Sequence, residues 1–229
     1  VSLAGVTMET AIVRAWALLG TDARPEDADG AVLALATSGY IDEAFSLAKL
    51  CDASVEPVFG VLVDKAMAAA PSATADAVVP GWELPLGEEW WGAPSLRAAL
   101  WRVILDGLAR YDSPQTGFRY HLVVAHCVLT FDRRTALPRS LVVSLVAPDG
   151  AGSVNVANVA ALARLYLSFG CAGEAAALAL EFLGGDAGSA AAKAGVESFG
   201  AWLPYQVLDE IALSEGQEEF RAAMEALLA

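Results

Sequence analysis

At 229 residues, with 56% hydrophobic and 18% charged residues, the chain can bury a substantial core, which excludes an intrinsically disordered polypeptide. Its 28 acidic and 14 basic residues leave a formal net charge of −14, a balance that repels phosphate backbones and argues against direct binding of nucleic acid. Charges, glycines and prolines interrupt every apolar run well short of the ~20 residues a bilayer-spanning helix needs, so no transmembrane segment is expected.

The chain starts at Val1, inside sequence that reads as ordinary helix, with no cationic leader and cleavage site ahead of it. The expectation is a segment of a longer polypeptide. Pro25-Glu26-Asp27 has the composition of a first helical turn, with a rigid residue and two acids at the positive end of the helix dipole. GYIDEAFSLA (Gly39 to Ala48) then places a turn glycine between two apolar helices. Pro80 to Ser95 is a loop rich in proline, glycine and tryptophan. It folds back on neighbouring helices or offers its tryptophans to a partner.

Ser95 is an expected N-cap for a helix whose apolar stripe is Trp101, Ile104, Leu105, Leu108 and Tyr111. Leu141 to Val146, bracketed by Pro138 and Pro148, reads as a short helix rather than a strand. Ser153 is the expected cap of the next helix, with Val159, Leu162, Tyr166 and Phe169 along one face. GCAGEAAALA (Gly170 to Ala179) echoes the earlier segment, with Gly, Glu-Ala and Leu-Ala at the same offsets. Past the Gly184-Gly185 loop, Pro204 starts another helix, and Ser214 with Gln217 has capping-box spacing ahead of the last one. The expected fold is all-α, an irregular α-solenoid of stacked helical hairpins over residues 1–229, with roughly ten to twelve helices of ~11 residues.

The chemistry-bearing residues are few. Cys51, Cys127 and Cys171 form no CxxC pair and read as buried free thiols of a reducing compartment. His121 and His126 stand five apart, and that spacing turns the two rings onto different helix faces instead of the shared face a zinc pair needs. A phosphate-binding loop, a dinucleotide fingerprint and a G-x-S-x-G elbow are all absent from the sequence. Gly184 to Gly195 carries Lys193 but not the Lys-Ser/Thr step, while Glu88-Glu89 and Glu218-Glu219 read as solvated acids. No enzyme activity, metal or cofactor is expected.

An ordered set of segments resembles one family. GYIDEAFSLAKLCDASVEPVFGVLVDKAM comes first, then LWRVILDGLARYDSPQTGFRYHLVVAHCVL, then LPRSLVVSLV with VAALARLYLSFGCAGEAAALALEFL, and last AWLPYQVLDEI. Together they are similar to the C-terminal helical region of the nucleoporin 160 family (nucleoporin 120 in yeasts), the long-arm scaffold of the Y-shaped complex of the nuclear pore. The resemblance implies a structural role at the nuclear envelope. It places the segment at the hub of the outer-ring coat, packed against the helical ends of the nucleoporin 85 and nucleoporin 96 families, and supporting messenger RNA export as architecture.

Within that reading the last helices are the candidate partner interface. Pro204 presets a first turn, and Trp202 staples the preceding loop onto it. Tyr205 and Leu208 lie on one stripe, with Phe220, Met224 and Leu227 on another. Both stripes either dock a partner or fold inward and close the end of the stack. A peptide-binding adaptor of tetratricopeptide type is the alternative, and it would want a strict period of about 34 residues. An enzyme with an all-helical active site would want convergent polar residues in a pocket.

Overall fold

The computed structural model describes residues 3–20, 28–70, 95–113, 116–147 and 154–183. Among these residues all regular structure is helical: nine helices and no strand. The Pro25-Glu26-Asp27 turn, residues 80–94 of the tryptophan-rich loop, Pro148, Ser153 and everything after Leu183 lie outside them, including the two expected final helices. No helix among the described residues is long and apolar enough to cross a membrane.

The chain divides into two compact units, Val1–Ser113 and Pro114–Ala229. The first holds α1 (Leu3–Leu19), α2 (Ala28–Ser38), α3 (Ile41–Cys51), α4 (Glu56–Ala68) and α5 (Leu96–Tyr111). The second holds α6 (Arg119–Phe131), α7 (Arg139–Val146), α8 (Val156–Ser168) and α9 (Ala172–Leu183). In both units the substantial helix packings join a helix to its next or next-but-one neighbour. They are α1 on α2 and α3, α2 on α3 and α4, α4 on α3 and α5, α6 on α7 and α8, and α8 on α7 and α9.

Small residues let these helices approach. Ala31 and Ala36 of α2 and Ala44 and Ala48 of α3 are wholly buried, as is Ala175 of α9, and Ala163 of α8 is nearly so. Replacing such contacts by larger side chains would force the axes apart. The core of the first unit centres on an aromatic cluster. Phe45 stacks on Tyr111 at a centroid distance of 4.7 Å and meets Phe59 edge-on at 5.4 Å. Gly107 of α5 lies under these rings, and a Cβ there would sit 3.1 Å from Phe59 and 3.2 Å from Phe45. The buried face of α5 accordingly runs through Leu100, Val103, Ile104, Gly107 and Leu108. Trp101, Leu105 and Tyr111 of the expected stripe stand half-buried at its margin.

Side chains close the helix ends. Ser95 caps α5 as expected, its hydroxyl accepting the Ala98 amide at 3.2 Å. Pro138 is the N-cap residue of α7, so the Leu141 to Val146 segment is helix. For α8 the cap is Asn155, whose side chain accepts the Asn158 amide at 3.2 Å. The helix therefore starts nearer its apolar stripe than a cap at Ser153 would allow. Asn158 in turn donates from Nδ2 to the Leu145 carbonyl at 2.8 Å, and the Asn155 amide donates to Val146 at 2.7 Å. The start of α8 thus satisfies the carbonyls left unpaired at the end of α7.

The sequence echo is also an echo of backbone. Gly39 and Gly170 both adopt positive φ, 93° and 71°. The Gly39 amide donates to Ala36 and the Tyr40 amide to Leu35; Gly170 donates to Leu167 and Cys171 to Tyr166. These are the two bonds of a Schellman ending, with glycine in the left-handed position. The next helix then opens the same way in both, through Ala44 to Tyr40 and Ala175 to Cys171. Each unit therefore contains one copy of the same tight helical hairpin, α2–α3 and α8–α9.

Candidate functional site

Trp202, Tyr205, Leu208, Phe220, Met224 and Leu227, the expected partner interface, all lie outside the described residues. Among the described residues a groove of about 360 Å³ in the first unit could receive another molecule. Its α1 wall is Ala11, Arg14, Ala15 and Leu18, an i, i+3, i+4, i+7 face. Its α3 wall is Asp42, Glu43, Ser46, Leu47 and Leu50, and Leu35 of α2 completes the lining. Ala15, Leu35 and Leu47 are buried, whereas Leu18 and Leu50 are 40% and 46% exposed. The groove exists because alanine and serine stand where larger side chains would fill the space between α1 and α3.

The groove carries two carboxylates side by side on the first turn of α3. Burial pushes the Asp42 carboxyl above its usual range and the Glu43 charge adds to this, while Arg110 of α5 pulls it back. Ser46 is the one neutral polar side chain of the lining. Nothing here resembles a nucleophile with its base.

Sequence reasoning passed over these residues. One signal was available: Leu50 stands about 180° round the helix from Ile41, on the back of the buried stripe. An apolar residue there has no place in the core of its own hairpin.

The remaining chemistry-bearing side chains are packed or solvated. His121 is buried and meets Phe118 edge-on at 5.7 Å. His126 is exposed and meets Phe169 at 5.3 Å, about 140° round α6 from His121. Among the described residues no group of three or more His, Cys, Asp or Glu could hold a metal ion. The three cysteines form no disulfide with one another; Cys171 is buried, and Cys51 and Cys127 are half-buried. The Cys171 thiol donates to the Arg133 carbonyl at 3.4 Å. Burial raises its pKa, with Glu174 adding and Arg133 opposing, and burial also raises that of Cys51. Raised thiols stay protonated, the opposite of an activated nucleophile. Arg133 and Arg134 are exposed in the turn after α6, where Asp132 accepts the Arg134 amide at 2.9 Å. No protein-family model matches this chain, and no curated protein matches it.

Proposed function

We propose that the chain is an architectural segment, an irregular α-solenoid that holds other helical proteins in a coat. In this reading it is the hub-facing helical region of a nucleoporin 160 family scaffold at the nuclear pore. The observation that carries the reading is the packing order: helices pack on their next and next-but-one neighbours, and the same glycine-closed hairpin occurs in each unit. Repeat stacks have this contact pattern because each hairpin buries its apolar faces against the hairpins beside it. The ordered family-like segments motivate the family reading, and their Pro-Val-Phe, Leu-Pro and Leu-Tyr-Leu elements lie at the starts of α4 and α7 and within α8.

Attachment in such a coat is helix-on-helix burial with no turnover and no cofactor. The partners are the helical ends of the nucleoporin 85 and nucleoporin 96 families, and the acidic surface keeps the segment off RNA while the coat supports export. The test is co-purification of the chain with those two helical regions, followed by size exclusion with light scattering at moderate salt. The expected result is a stable complex with one copy of each, lost in Trp202→Ala combined with Leu227→Asp. A monodisperse chain that ignores both partners would overturn the hub role.

A further inference from the structure

We draw no further inference here: the strongest candidate, the exposed apolar rim of Leu18 and Leu50 on the groove between α1 and α3, carries nothing, because Arg14 shares the lining with Asp42 and Glu43 and nothing in the structure shows what covers it.

Discussion

Gly107 and Gly60 are both glycines inside helices, and their surroundings give a methyl group opposite consequences. At Gly107 the added Cβ would stand 3.1 Å from Phe59 and 3.2 Å from Phe45. Phe59 is fully buried, and Phe45 is held by its stack on Tyr111, so neither ring has room to withdraw. Alanine brings a helix preference of roughly 1 kcal/mol over glycine, but overpacking a well-filled core costs about 1–3 kcal/mol. Gly107→Ala is therefore expected to lower stability by about 1 kcal/mol. At Gly60 of α4 nothing lies within 4 Å of the new Cβ. There the helix preference acts alone, and Gly60→Ala should raise stability by about 0.5–1 kcal/mol. Urea unfolding of the two variants beside the parent checks both signs. A stabilised Gly107→Ala would mean that the aromatic cluster is looser than its distances imply.

Arg97 shows how one helix finishes another. Its guanidinium donates from Nε to the Ala66 carbonyl at 3.1 Å, and from Nη2 to Met67 at 3.2 Å and Ala69 at 2.9 Å. These are carbonyls at the C-terminal end of α4 that have no partner further along the helix. A cation there also opposes the negative end of the helix dipole. Arg97→Ala should cost about 2 kcal/mol, with allowance for water reaching the site where the half-buried Arg97 stood. Arg97→Lys should recover only part of this, because one ammonium cannot span three carbonyls as a planar fork does. Hydrogen exchange at the end of α4 reads the effect directly. Arg97 was not legible beforehand, since its targets lie some thirty residues back and a sequence pattern carries no such pairing. What local chemistry dictates was legible: the Ser95 cap, the helix start at Pro138, and the two glycine turns at Gly39 and Gly170. The true face of α5 was displaced because Gly107 has no side chain to register in an apolar stripe. Ser153 was favoured over Asn155 because both residue types cap helices and only the path of the chain decides between them. The groove was hidden for a related reason. It is made by two helices that each look ordinary, and the stripes at Tyr205 and Phe220 expected to dock a partner lie beyond the described residues.

At the scale of the whole molecule the dominant electrostatic fact is the formal charge of −14. Folding concentrates that charge, whereas the unfolded chain spreads it out, so self-repulsion works against the compact state. Exposed ion pairs could offset this only weakly. Arg139 of α7 and Glu181 of α9 form such a pair, but the two side chains are 74% and 41% exposed, and pairs of that kind are worth little. Raising sodium chloride from about 10 mM to about 300 mM shortens the screening length from ~30 Å to ~6 Å. The expected outcome is a rise in melting temperature, at about 2–4 °C for each kcal/mol of repulsion relieved. Most of the rise should come in the first ~100 mM, because screening saturates as the screening length falls below the spacing of the charges. A solvent-exclusion effect of salt would instead grow steadily with concentration. Asp64→Asn with Asp106→Asn supplies the internal check. Removing two exposed acids should raise the low-salt melting temperature and flatten the salt curve together. A melting temperature that fell with salt would mean that attraction between opposite charges outweighs the net repulsion. The acidic surface would then be part of what holds the helices together.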